Sequence, residues 1–190
     1  MDLRLPKLNL GCVPVHLDGF VNIDFDEDEK PDVVADVRHL PYEDGAVGVI
    51  YASHVLEHFG HEEPVLEEWF RVLAPGGVAV VIVPDLFATY LMRNRADTGW
   101  GENFKNPIDT AYINAVCYGG YMLGPPYDRP GQVHHQIFIF DMLAERMRAV
   151  FPDAHEVKEC PWTKCSLGEC MVMGTKPIVS PMAARTLKTE

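Results

Sequence analysis

The chain has 190 residues and a formal charge of −12, from 28 acidic and 16 basic residues, with a sequence pI near 5.0. Hydrophobic residues make up 47% and charged residues 23%, which suits one soluble domain with a sizeable core and is short for two. The acid excess repels phosphate backbones and anionic bilayers, no apolar run approaches the roughly 20 residues that span a membrane, and Met1-Asp2-Leu3-Arg4-Leu5-Pro6 lacks the apolar stretch of a secretory signal. Neither nucleic acid nor membrane is therefore expected as a partner, and a cytoplasmic location is.

The five cysteines are Cys12, Cys117, Cys160, Cys165 and Cys170. An odd number without a secretory signal argues against a disulfide framework. The C-x4-C-x4-C spacing of the last three is looser than the paired C-x2-4-C of zinc sites, so packing and turn roles are expected.

In chain order, short apolar runs alternate with helical patterns, which predicts an α/β sheet. The runs are Leu8–Leu10, Phe20–Ile23, Val33–Ala35, Val47–Ala52 and Val78–Val83. Continuous Val and Ile of this kind suit parallel strands buried on both faces. Between the fourth and fifth runs, Val65, Leu66, Trp69, Phe70 and Leu73 fall on one face of a helix, with Glu62 and Glu63 expected in its first turn and Pro75-Gly76-Gly77 at its end. A second helix is expected from Asn106-Pro107 to Gly119-Gly120, and a third from about Asp141 to Val150. Two last strands, about Ala154–Glu159 and Glu169–Gly174, predict an antiparallel hairpin at one sheet edge.

In an open parallel sheet, ligands bind outside the carboxyl ends of the strands. Here those ends carry Gly11-Cys12, Asp24, Asp36, Ser53-His54 and Pro84-Asp85. An acid closing the second strand suits a ribose diol, because a carboxylate accepts from both hydroxyls, and a glycine after the first strand lets backbone approach a ligand. The run Asp24-Phe25-Asp26-Glu27-Asp28-Glu29 otherwise reads as a solvated turn.

The pieces Leu8-Asn9-Leu10-Gly11-Cys12, Asn22-Ile23-Asp24, Ala35-Asp36-Val37-Arg38-His39-Leu40-Pro41, Ser53-His54-Val55-Leu56-Glu57-His58-Phe59 and Arg71-Val72-Leu73-Ala74-Pro75-Gly76-Gly77, in this order and spacing, resemble class I S-adenosylmethionine-dependent methyltransferases of the small-molecule (type 11-like) branch. The resemblance implies a Rossmann-like, mostly parallel sheet with helices on both faces, here with the antiparallel C-terminal edge hairpin. It implies S-adenosylmethionine as cofactor and S-adenosylhomocysteine as product. By the same resemblance Gly11 approaches the amino-acid part of the cofactor, Asp24 holds the ribose hydroxyls, Asp36 and Val37 flank the adenine, and Ser53 and His54 line the floor near the methionine end. One domain over 1–176 is expected, with an acceptor-binding insert at about 87–136 and a flexible tail at 177–190.

One departure stands out. Where the family usually has G-x-G, this chain has Gly11-Cys12-Val13 followed by Pro14. That leaves a degenerate member, binding cofactor or a partner without catalysis, as the second reading. His54-Val55-Leu56-Glu57-His58 matches the H-x-x-E-H zinc-hydrolase signature, but that signature needs a helix with both histidines on one face, whereas this segment follows a buried strand, and no metal is expected. Gly124-Pro125-Pro126-Tyr127 sits too far along the chain for the Pro-Pro-Tyr of amino-group methyltransferases and reads as a turn, and Arg71 reads as a surface residue at a helix end.

Methyl transfer from a sulfonium is an in-line displacement that needs alignment and water exclusion more than a universal catalytic group. His134, His135, His54, Tyr118 and Tyr127 are the candidate general bases, with His134 and His135 favoured because they follow the long Gly/Pro-rich segment. Trp100, Phe104, Tyr118, Tyr121 and Tyr127 are candidates for stacking on a small-molecule acceptor (a sugar, lipid, natural product or small acid). The oligomeric state leaves no mark in the sequence.

Overall fold

A computed structural model describes residues 4–12, 15–86, 133–164 and 169–178. The strands are β1 (Lys7–Leu10), β2 (Val21–Asp24), β3 (Val33–Val34), β4 (Val47–Ser53), β5 (Leu73–Pro84), β6 (His155–Glu156), β7 (Glu159–Cys160), β8 (Thr163–Lys164) and β9 (Glu169–Thr175). The helices among the described residues are α1 (Val65–Val72) and α2 (Phe140–Arg148), with short 3-10 turns at Glu27–Glu29 and Leu56–His58. The sheet order is β3-β2-β1-β4-β5-β9-β6. The β3-β2-β1-β4-β5 pairs are parallel, while β9 runs antiparallel to both β5 and β6, so the expected edge hairpin is present. β7 and β8 form a separate small ribbon.

β4 lies at the centre because six of its seven residues are buried, so it needs cover on both faces and a partner on each side. On one face Leu8, Leu10, Ile23, Ile50, Val81 and Val172 meet Leu66, Trp69 and Val72 of α1 and Leu143, Ala144 and Met147 of α2. On the other face Phe20, Val49, Tyr51, Val80, Ile82 and Met171 pack with Leu17, Val157 and Trp162. The helix expected after Asn106-Pro107 lies outside the described residues.

Three expectations shift. α1 begins at Val65, so Glu62 and Glu63 precede it and its first turn carries Glu67 and Glu68 instead. Glu63 is drawn out of the helix because its carboxylate accepts from the Gly60 N–H (2.7 Å) and from Arg38 Nη1 (2.9 Å). Pro75-Gly76-Gly77 does not end α1; it lies inside the twelve-residue β5 as a bulge, where the register to β4 slips between Val47 and Val49 and Gly76 takes φ +78°. Arg71 is a clamp rather than a surface residue. It donates to Glu68 and Asp44 and to the carbonyls of Tyr42 and Leu40, while Glu68 accepts from the Leu40 N–H (2.8 Å).

The β1–β2 link has no room for a crossover helix, and side-chain amides hold it instead. Asn9 and Asn22, partners in the β1–β2 register, bond to each other (Nδ2 to Oδ1, 2.9 Å). Asn9 also donates to the Val15 carbonyl, Asn22 accepts from the Leu17 N–H, and Asp32 takes both the backbone and side-chain N–H of Asn22. Replacing Asn22 by alanine is expected to cost about 1–3 kcal/mol, because the buried donors around it lose their acceptor. Urea unfolding should show a lower midpoint at unchanged slope; an unchanged midpoint would show that the amide network does not hold this link.

Candidate functional site

The parallel register delivers the ends of β1, β2, β3 and β4 to one edge of the sheet. Gly11 follows β1 with φ +61°, and a Cβ there would come within 2.5 Å of Val55 Cγ2. Glycine is therefore required twice, by the left-handed backbone and by Val55. Cys12 continues the β1–β2 pairing through its N–H to the Ile23 carbonyl, and its side chain is buried at 1% exposure. Val13 and Pro14, which carry the departure from G-x-G, lie outside the described residues.

Asp24 closes β2 and is nearly buried; its Oδ1 accepts from the Asp26 N–H at 3.0 Å. The acids beyond it form the solvated turn expected, with Asp26 capping Glu27–Glu29 and Lys30 ending it in a left-handed conformation. Asp36 follows β3 and is half-exposed. Arg38 binds its two oxygens through Nε and Nη2 at 2.7–3.0 Å, which holds the Asp36 carboxyl below its usual range. Val37 turns its side chain into the core and gives its carbonyl to the buried Trp69 indole N–H (3.0 Å), so only its backbone remains for a ligand. Trp69, Glu68 and Arg71 of α1 thus hold the loop after β3 in place.

Ser53 ends β4 opposite Ile82, and the next residue, His54, takes φ +57°. That conformation costs a non-glycine residue about 1–2 kcal/mol. It is offset by the His54 N–H bonding to the Ile82 carbonyl (2.9 Å) and by Nε2 donating to Glu169 Oε1 (2.8 Å). Burial disfavours a charged ring, but the carboxylates of Glu169 and Glu57 outweigh it and carry the His54 pKa up to about 10.

The favoured histidines separate in role. His134 brings Nε2 to 3.9 Å from Glu57 Oε1 and packs edge-on against His58, with ring centroids 4.8 Å apart. His135 has an exposed side chain and is tied through its backbone, its N–H donating to the Glu57 carbonyl (2.8 Å). Sequence reasoning missed Glu57 and Glu169 as site residues. Glu169 was findable: the first residue of a strand antiparallel to β5 lands at the carboxyl end of the parallel strands, here opposite Pro84. Asp85 has a structural role, its Oδ2 accepting from Phe140 N–H (3.2 Å) at the start of α2, whose own N-cap Ile139 offers no side-chain acceptor. Tyr118 and Tyr127, with Trp100, Phe104 and Tyr121, lie outside the described residues.

In sequence and in fold, the chain is similar to known methyltransferases. Residues 19–81 match the family described as "Methyltransferase domain". A protein of Mycolicibacterium smegmatis, named "probable S-adenosylmethionine-dependent methyltransferase", is 36% identical over 107 residues, covering 50% of this chain and 38% of that protein. The chain thus spans well under half the length of that relative. A methyltransferase of Archaeoglobus fulgidus aligns over 90% of this chain and 86% of its own at TM-score 0.54 and 12% identity. One from Thermotoga maritima aligns over 90% and 82% at TM-score 0.52 and 13% identity. Residues 19–81 thus resemble a methyltransferase domain, and the chain shares the fold of solved S-adenosylmethionine-dependent methyltransferases.

The cofactor that these relatives' names give is S-adenosylmethionine, and the donor set at the strand ends of this chain suits it. Asp24 offers carboxylate oxygens to a diol, Gly11 leaves the backbone bare, and Val37 presents backbone beside Asp36. Cys12 is not a reactive group of this site: burial and the nearby Asp24 push its thiol up to about 11. In native protein at pH 8, iodoacetamide should leave Cys12 unlabelled while labelling it fully in urea, as read by peptide mass spectrometry. Rapid native labelling would contradict the buried placement.

Proposed function

We propose that this protein transfers a methyl group from S-adenosylmethionine to a small-molecule acceptor. The observation that carries the reading is the nearly buried Asp24 at the end of β2, beside the left-handed Gly11 turn, in a chain whose residues 19–81 match the methyltransferase domain. When bound, the cofactor supplies an electrophilic methyl on a sulfonium and leaves as S-adenosylhomocysteine.

The chain's own part is to bind, orient and exclude water. Asp24 accepts the ribose hydroxyls, the Val37 backbone and Asp36 flank the base, and Gly11 lets the β1 turn approach the amino-acid end. Ser53 and His54 line the floor, and the left-handed turn at His54 carries the chain away from it. His134 and His135 belong to the acceptor side, and acceptor choice falls to residues 87–136. The strongly acidic chain favours neutral or cationic acceptors over polyanions. No described helix is long and apolar enough to cross a membrane.

The test is calorimetric titration with S-adenosylhomocysteine. The wild-type chain is expected to bind one equivalent, and Asp24→Asn is expected to weaken binding at least about tenfold, a loss of roughly 1.4 kcal/mol, with little change in thermal unfolding. Equal affinity of the two proteins would remove Asp24 from the site. Binding without methyl transfer to any acceptor of a broad small-molecule panel would favour the degenerate reading.

A further inference from the structure

The turn after β4 holds a feature that cofactor binding does not use. Glu57 is 1% exposed, and neither of its carboxylate oxygens accepts a hydrogen bond. They are the only buried side-chain polar atoms in that condition among the described residues. A buried carboxylate without hydrogen bonds is strongly disfavoured unless a cation compensates it. Three histidines surround it. His54 Nδ1 lies 3.4 Å from Oε1, and with Nε2 on Glu169 the ring shares its single positive charge between two carboxylates. His134 Nε2 stands 3.9 Å from Oε1. His58 and His134 meet edge-on, and one donor atom from each of Glu57, His58 and His134 lies within 4.8 Å of the others.

The outer contacts suit metal ligation. His58 Nδ1–H donates to the Val133 carbonyl (3.1 Å), which fixes the tautomer and leaves the Nε2 lone pair as the ring's coordinating atom. The same segment is pinned to the turn by the N–H groups of His135 and Gln136, both donating to the Glu57 carbonyl, so His134 is held against Glu57 by backbone.

We propose that Glu57, His58 and His134 form a binding site for a divalent transition-metal ion. Two imidazoles and one carboxylate suit Zn2+, Fe2+, Co2+ or Mn2+ rather than Ca2+. Metal–ligand bonds of about 2.0–2.2 Å put donor atoms roughly 3.3 Å apart, so small side-chain rotations close the site from its present spacing. Three protein donors leave a coordination position open, which can take water or an oxygen or nitrogen atom of a small molecule. The site is not a zinc-hydrolase helix: Leu56–His58 is a single 3-10 turn, and its ligands there are Glu57 and His58 rather than His54 and His58. With a metal bound, His134 is a ligand and not a general base. The proposal does not depend on methyl transfer.

The experiment uses the full chain without an affinity tag, stripped with a chelator and titrated with Co2+ and Zn2+. Bound Co2+ is followed by its visible absorption, Zn2+ by calorimetry, and folding by circular dichroism. One equivalent is expected at micromolar affinity or better, weakened at least about tenfold in both Glu57→Gln and His134→Ala, and unchanged in Cys160→Ser. The isosteric Glu57→Gln guards against misfolding, and His134→Ala tests the loop ligand separately. Absence of stoichiometric binding overturns the proposal and leaves Glu57 as the counter-ion of His54. So does binding that survives both variants or that depends on Cys160. S-adenosylhomocysteine affinity, measured on the stripped protein, reports separately on the cofactor site, so failure of one reading leaves the other standing.

Discussion

Everything at the site depends on the pairing of β4 with a parallel neighbour on each side. Because β4 is buried along nearly its whole length, it has to sit mid-sheet, and its register with β1 and β5 fixes where every strand stops. The chain must then turn sharply at one edge. It does so with Gly11 after β1 and with His54, in a left-handed conformation, after β4. The first turn costs little because glycine has no Cβ; the second is held by a backbone bond to β5 and a side-chain bond to β9. Sheet register, local strain and the site's position follow from the same constraint.

The acid excess that seemed a surface property is divided among tasks. Asp32 secures the β1–β2 link, Asp85 satisfies the start of α2, Asp36 holds Arg38, and Glu68 works with Arg71 to fix the loop after β3. Asp26 to Glu29 stay in solvent. Asp24, Asp85 and Glu57 are buried, where a carboxylate needs a cation or a hydrogen-bond donor: Asp24 accepts from the Asp26 N–H and Asp85 from the Phe140 N–H, while neither oxygen of Glu57 accepts a hydrogen bond.

The strands were legible because Val and Ile runs are local signals, and so was the buried face of α1. The bulge in β5 was not: Pro75-Gly76-Gly77 reads as a helix stop, and only the pairing with β4 shows it absorbed within a strand. The place of Asp24 at the carboxyl end of β2 could be read from position alone, since it directly follows an apolar run. Glu169 needed one step more, the antiparallel pairing of β9 with β5, and Glu57 could not be read at all, because its environment comes from His134, a segment distant in sequence. Arg71 was misread for the same reason, as its partners lie on the loop after β3.

The most direct measurement is a crystal structure of the chain grown with S-adenosylhomocysteine. Density for the nucleoside is expected at the carboxyl ends of β1 and β2, with the ribose hydroxyls within hydrogen-bond distance of Asp24 and the base beside Val37. A nucleoside bound elsewhere on the chain, or a well-ordered strand edge left empty at millimolar ligand, would contradict the account.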